Sequence, residues 1–296
     1  MGSILIKLTE KIFSGKDTCD EDWTDYLIET HTKAPGKTVA AFADHKTDIG
    51  GNTYELIASC LDQIKGRSCR ILDLACGDGF LSGYLKDKMG ANSSCVGVDM
   101  VPAEIERATV LRPDQRFTYE VSKAQDLSFV DEEFDFVFCH LALMLMLPLE
   151  PVLKEISRVT KRQGIFSFII GKNINDRQMF EAVGKATATF VNSKLSEAGQ
   201  FKIGDERLND IGLTAKLLQT HGFQILEKRD FTLLISGSTR KVWDSISNFH
   251  LINLLPKEER SKLKKIVVAD LEAKAEGGDQ VVVPVPFRLI EAKKIG

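Results

Sequence analysis

From Cys69 to Ile170 short apolar runs alternate with segments of helical spacing, and nothing else in the chain limits its fold so tightly. Cys69–Ala75, Cys95–Asp99, Phe117–Val121, Phe134–Cys139 and Gly164–Ile170 read as strands. Gly79–Lys88, Pro102–Thr109 and Glu150–Thr160 read as helices between them, the second opened by its proline. A strand that returns through a helix lies parallel to its predecessor, so the expected architecture is α/β: a mostly parallel sheet with helices on both faces.

After Gly171 the alternation pauses. Helices are expected over Asp176–Leu195 and Asp205–Thr220, a strand over Phe223–Lys228, and helix over Arg240–Ala275 with a break near Pro256. A last strand spans Val281–Lys293, where Pro284 and Pro286 indicate an edge or a bulge. Phe180, Val183, Phe190 and Leu195 form one apolar stripe of helical spacing. Towards the N-terminus, Glu21–His31 and Thr53–Ile64 have helical spacing, and Pro35 and Gly36 interrupt the chain between them. The expected division is an N-terminal helical lid segment (1–50), a cofactor-binding core (51–171), and a remainder (172–296) that combines the last core strands with helical acceptor-binding insertions.

Composition narrows the partners. The 296 residues carry a formal net charge of −3, and their basic run Lys257–Lys265 also holds Glu258 and Glu259, so it reads as a solvated helix face. No basic surface for nucleic acid is expected. The most apolar window, Phe134–Leu149, is interrupted by Asp135 and His140 and falls short of the roughly 20 residues that span a bilayer. Met1–Glu10 is too short for a secretory signal. Six cysteines at 19, 60, 69, 76, 95 and 139 form no C-x-x-C pair and no metal-ligand spacing. They read as reduced thiols of a cytoplasmic protein with no metal and no membrane partner. Oligomeric state is left open.

The chemistry concentrates in Ile71-Leu72-Asp73-Leu74-Ala75-Cys76-Gly77-Asp78-Gly79, an apolar strand that ends in a two-glycine turn and enters a helix. Glycine lets the backbone approach a ligand, and the helix start offers free N–H groups. Twenty residues beyond Gly79 stands Asp99, at the end of the second strand, where a carboxylate accepts from both hydroxyls of a ribose. A dinucleotide site competes with this reading, but its third glycine is replaced here by Ser82, with Gly83 one residue late. A pyrophosphate gains nothing from Asp73 so close by, whereas a cationic amino-acid ligand does.

These residues resemble the first motif of class I S-adenosylmethionine-dependent methyltransferases, in particular the small-molecule and ubiquinone/menaquinone-type group (methyltransferase domain 11/25-like). Val96-Gly97-Val98-Asp99-Met100 resembles the second motif, and Ala124–Phe129 followed by Phe134–Val137 resembles the third and fourth. Gly164–Ile170 is similar to the fifth strand, and His221-Gly222-Phe223 to the turn before the sixth. The likeness is close over Ile64–Ile170 and loose over Asp205–Lys293.

The resemblance implies a Rossmann-like seven-stranded sheet with helical lid insertions and S-adenosyl-L-methionine as cofactor. Gly77 and Gly79 would pass beneath its methionine part, lined by Ala75 and Cys76. Asp73 would orient the turn or meet the amino group through water. Asp99 would hold the ribose and Met100 lie on the adenine, whose edge backbone groups of Ala124 and Gln125 would read. Cys139 and His140 would sit below the sulfonium, with His140 the candidate base. Relatives often carry Asp where this chain has Lys123, which cannot accept from the adenine amino group. Either the backbone reads adenine alone or the register differs.

Tyr26, His31, His45, Trp243, Phe249 and His250 are further candidates to line the pocket or to pack as ordinary structure. The expected acceptor is a small, partly apolar molecule, as in secondary metabolism. A macromolecular (RNA or protein) methyltransferase and a non-catalytic cofactor-binding protein are the alternatives. Amino-methylating nucleic-acid enzymes usually place a Pro-Pro-aromatic turn where this chain has Cys139-His140-Leu141-Ala142.

Overall fold

The computed structural model describes residues 3–64, 66–172, 177–198, 204–275, 278 and 280–295. Among them, eight strands make one sheet: β1 (Lys46–Thr47), β2 (Arg70–Leu74), β3 (Ser94–Asp99), β4 (Phe117–Val121), β5 (Phe134–His140), β6 (Thr160–Gly171), β7 (Phe223–Gly237) and β8 (Val281–Lys294). Their order is β1-β7-β8-β6-β5-β2-β3-β4. The four pairings among β2 to β6 are parallel, and β8 is inserted antiparallel between β6 and β7. This is the expected Rossmann-like α/β arrangement with one strand more. Lys46 and Thr47 pair antiparallel with Leu234 and Leu233, and two residues are too few to show a period.

The helices, in chain order, are α1 (Ile4–Phe13), α2 (Asp20–Lys33), α3 (Lys37–Phe42), α4 (Thr53–Ala58), α5 (Phe80–Lys88), α6 (Pro102–Leu111), α7 (Leu149–Val159), α8 (Arg177–Val183), α9 (Lys185–Glu197), α10 (Ile211–Thr220), α11 (Thr239–Ile246), α12 (His250–Asn253) and α13 (Lys257–Lys274). The helix expected over 176–195 is broken at Gly184, and its first residue, Asp176, lies outside the described residues. A Cβ on Gly184 would come within 2.3 Å of the Asp270 carboxyl of α13, and that carboxyl accepts the Thr187 N–H at 2.7 Å, capping the start of α9. The apolar stripe faces inward as expected: Phe180 and Val183 are buried, and Phe190 and Leu195 pack partly buried against the same core.

Both faces of the parallel strands are covered, so successive side chains enter different cores. Ile71, Phe136 and Phe138 join the core beneath α4, α5, α8 and α13. Leu72, Leu74, Val137 and Cys139 join the core beneath α7 and α10. A third cluster, built from Leu8, Ile12, Trp23, Tyr26, Leu27, Ala198 and Leu254, fastens α1 and α2 to the late helices.

One expectation about the last strands needs correction. β7 runs nine residues beyond Lys228, because Asp230 is paired across to Arg288 of β8 at 2.6 Å and its charge hid the continuing strand. β8 lies between β7 and β6, but its stretch Val281–Pro286 pairs with β7 alone, so the prolines sit on an edge there, as expected. Its prolines are accommodated because β6 ends opposite Phe287. The Pro286 carbonyl faces the β6 side, where it accepts the Lys172 N–H at 3.0 Å, so the N–H that proline lacks would also have faced that side. Pro284, two residues earlier, shares this orientation beyond the end of β6.

Candidate active site

The parallel strand order reverses beside β2, which has β3 on one side and β5 on the other. Ligands of open α/β sheets bind at such a reversal, outside the carboxyl ends of the strands. Here the chain leaves both neighbouring strands through non-glycine residues in the left-handed region: Ala75 after β2 (φ 57°) and Leu141 after β5 (φ 56°). Backbone held this way costs of order 1–3 kcal/mol per residue and persists only where the surroundings enforce it. A cavity of about 650 Å³ opens between these two exits.

Its wall brings together Asp73, Ala75, Cys76, Gly77, Asp99, Met100, Ala124, Gln125 and His140, as the sequence suggests. Two proposed members lie elsewhere. Cys139 is fully buried in the core beneath α7, because alternation along β5 turns it away from the face that His140 uses. Gly79 is left-handed at φ 71° and caps α5; a Cβ there would come within 2.9 Å of the Tyr119 ring, so its lack of a side chain serves packing. Lys123 is exposed at the mouth.

Acids surround the glycine turn. Asp99 Oδ2 accepts the Gly77 N–H at 3.0 Å and Oδ1 accepts the Val101 N–H at 2.9 Å, which fixes the turn while leaving each oxygen a free lone pair. Burial pushes the Asp99 pKa up, against those two hydrogen bonds. Asp73 is 2 % exposed, and its Oδ2 has no hydrogen-bond partner among the described residues. Burial, with Asp99 beside it, pushes Asp73 up to about 7. Asp78 is buried as well, one oxygen 3.2 Å from Arg107 Nε and the other unpartnered. A buried carboxylate oxygen without a donor is costly unless a ligand supplies one. A ligand with an ammonium, a sulfonium and a ribose answers these carboxylates, so the residues present fit S-adenosylmethionine.

Sequence reasoning missed Glu104. It is 1 % exposed on α6; one oxygen accepts the Gly36 N–H at 2.9 Å and the other lies 2.8 Å from His31 Nδ1. It therefore ties α2 and the start of α3 to the rim of the glycine turn, where a Cβ on Gly77 would stand 4.0 Å from the same carboxylate. Only an acid in the first turn of α6 hinted at it.

His140 Nε2 lies 2.9 Å from Thr53 Oγ1, and its ring stacks on Tyr54 at 3.9 Å. Burial pushes its pKa down to about 3. A general base works best with a pKa near the operating pH, so this imidazole is poorly suited to take a proton in bulk equilibrium. In the folded protein its ring is expected to stay neutral from pH 8 down to about 4; imidazole ¹⁵N shifts that titrate near 6.5 would contradict this.

The other candidates divide. Phe249 and His250 line the cavity, and the Tyr26 hydroxyl lies 3.1 Å from His250 Nδ1. His31 lines it as well. His45 is buried against Ser245 at 2.8 Å, and Trp243 packs in the core beneath Lys264 of α13.

Sheet order and reversal point define a Rossmann-like α/β core with an acid-ringed turn at its switch point. Residues 65–209 match the family described as a methyltransferase domain. An uncharacterized methyltransferase of Synechocystis sp. is 35 % identical over 102 residues, covering 34 % of this chain and 46 % of that protein. The 2-methyl-6-phytyl-1,4-hydroquinone methyltransferase of Synechocystis sp. is 34 % identical over 110 residues, or 37 % and 34 % of the two chains. The chain thus spans less than half the length of these curated relatives. Among solved structures, the YcgJ protein of Bacillus subtilis superposes with a TM-score of 0.54 at 15 % identity, over 82 % of this chain and 98 % of that one. At such identity the likeness concerns the fold. Among the described residues no helix is long and apolar enough to cross a membrane.

Proposed function

We propose that the chain is an S-adenosylmethionine-dependent methyltransferase acting on a small, partly apolar molecule. One observation carries this reading: a single cavity joins the acid-ringed glycine turn to a chamber walled by Phe42, Met144, Phe180, Phe249, Leu251 and Phe287. The polar end suits a charged nucleoside and the apolar end a compact organic acceptor. The hydroquinone methyltransferase of Synechocystis sp. is named for an acceptor of that kind. An oxygen, nitrogen or carbon acceptor in secondary metabolism fits equally well.

When bound, S-adenosylmethionine supplies a methyl group on an electrophilic sulfonium. The chain's own part is positional. Asp99 receives the ribose hydroxyls, Asp73 faces the amino group, Met100 borders the adenine, and backbone at Ala124 and Gln125 reads its edge. His140 shapes the floor beneath the reacting centre and keeps it dry, since in-line transfer needs orientation more than proton transfer. Residues 1–50, with α8 and α12, act as a lid that excludes water and selects the acceptor by shape.

Calorimetry tests the cofactor. S-adenosylhomocysteine is expected to bind and NADH not to; tight NADH binding without S-adenosylhomocysteine binding would refute the reading. Hydrogen exchange tests the lid. The cofactor product is expected to slow exchange in α2, α3 and α12 by about tenfold, since these segments open to admit ligand. Protection confined to β2 and β3, with the cavity still open to a protein or RNA acceptor, would favour a macromolecular substrate.

A further inference from the structure

The methyltransferase reading leaves the cavity's cations unused. Three lysines reach its wall. Lys172 is paired with Asp230 at 3.0 Å, and Lys123 is exposed to solvent at the mouth. Lys37, the first residue of α3, differs from both. It is half-buried, and it has neither a hydrogen bond nor an acidic partner among the described residues. A desolvated ammonium without a counter-ion is unfavourable unless something that binds there completes it.

We infer that Lys37 docks an anionic headgroup of the acceptor, so that the substrate is an apolar molecule ending in a carboxylate or a phosphate. This rests on the methyltransferase reading and adds the charge of its substrate.

The position of Lys37 among the charges separates this role from one towards the cofactor. The acids Asp73 and Asp99 crowd the glycine turn, with Glu104 and its partner His31 at the rim. Lys37 lies on α3, which packs against α11. It is acted on by Arg260 of α13, and it acts in turn on His250 of α12. Lys37 therefore borders the side of the cavity formed by the late helices. There Phe249 and Leu251 supply apolar wall, and Phe42, on Lys37's own helix, meets Phe249 at 5.5 Å. Burial and Arg260 push the Lys37 pKa down to about 8. At neutral pH the charge is thus present but poorly solvated, a state that an incoming anion relieves. A carboxylate or phosphate on an apolar body matches that combination of one cation and aromatic walls.

The test uses the full chain loaded with S-adenosylhomocysteine and three probes of equal tail length: decanoate, decyl phosphate and decanol. Calorimetry is expected to show both anions binding more tightly than decanol. Lys37→Met is expected to weaken both anions by about tenfold or more and Lys37→Arg by less than about threefold, with decanol unchanged in each. S-adenosylhomocysteine affinity is expected to stay within about threefold in both variants. A tenfold loss of S-adenosylhomocysteine affinity in Lys37→Met would place the cofactor's own carboxylate at this lysine and overturn the assignment. Equal binding of decanoate and decanol, with no effect of Lys37→Met, would also overturn it while leaving the methyltransferase reading intact. Failure of S-adenosylhomocysteine to bind the unaltered chain would remove that reading and this inference with it.

Discussion

Asp99→Ala is expected to weaken S-adenosylhomocysteine binding by about 30- to 1,000-fold. The carboxylate does two things at once. Its oxygens hold the Gly77 and Val101 N–H groups at 3.0 and 2.9 Å, and their remaining lone pairs face the cavity. Each hydrogen bond to a charged acceptor contributes about 1.5–3 kcal/mol. Losing one ribose hydrogen bond alone accounts for the lower figure. A glycine turn freed from its anchor must also be reordered on binding, which raises the cost. Because Asp99 ends a strand and does not fill a core, the variant is expected to fold, as circular dichroism would show. Asp99→Asn is expected to fall between the two, since an amide keeps one acceptor. A folded Asp99→Ala protein with unchanged affinity would remove the ribose from this corner.

The second large effect concerns proton release at Asp73. With a pKa of about 7 in the free chain, Asp73 is mostly protonated at pH 6 and mostly ionised at pH 8. A cationic group beside its unpartnered Oδ2 favours the ionised form. Binding of S-adenosylhomocysteine is therefore expected to release about one proton near pH 6, and affinity to rise about tenfold from pH 6 to pH 8. Calorimetry in two buffers of different ionisation heat reads the proton directly. Asp73→Asn should flatten the dependence, and a proton count near zero in the unaltered protein would contradict the assignment. The stability of the free chain runs the other way. The folded pKa lies above the unfolded 3.8, so the folded state binds more protons between about 4 and 7. Asp73 thus penalises folding least at the acid end of that window, and stability falls as pH rises through 7.

The sheet was legible because β2, β3 and β5 are short and mostly apolar, β4 alternates apolar with polar residues, and glycine, proline or charged turns punctuate them. What escaped was set by contacts between distant residues. β1 has two residues, β7 hides behind the Asp230–Arg288 pair, and the placement of β8 depends on where β6 stops. The site divides in the same way. Asp73, Gly77 and Asp99 announce themselves by spacing. Glu104 and Lys37 acquire meaning only when α2 and α3 fold across the turn, because no local pattern tells a buried acid or lysine from a solvated one. Cys139 and His140 are adjacent, and pairing them as neighbours of one ligand overlooked the alternation of a strand buried on both faces.

The ribbon of β7 and β8 beyond Phe287 has a neighbour along one side only, and its two prolines withhold the donors that another strand would need. It nevertheless brings Val285, Pro286 and Phe287 to the cavity wall. No ladder of the parallel half depends on those residues, so a repacking of their side chains leaves the glycine turn as it is. On the methyltransferase reading, evolution can then retune which acceptor is accepted on one border of the protein without reopening the question of how the nucleoside is held on the other.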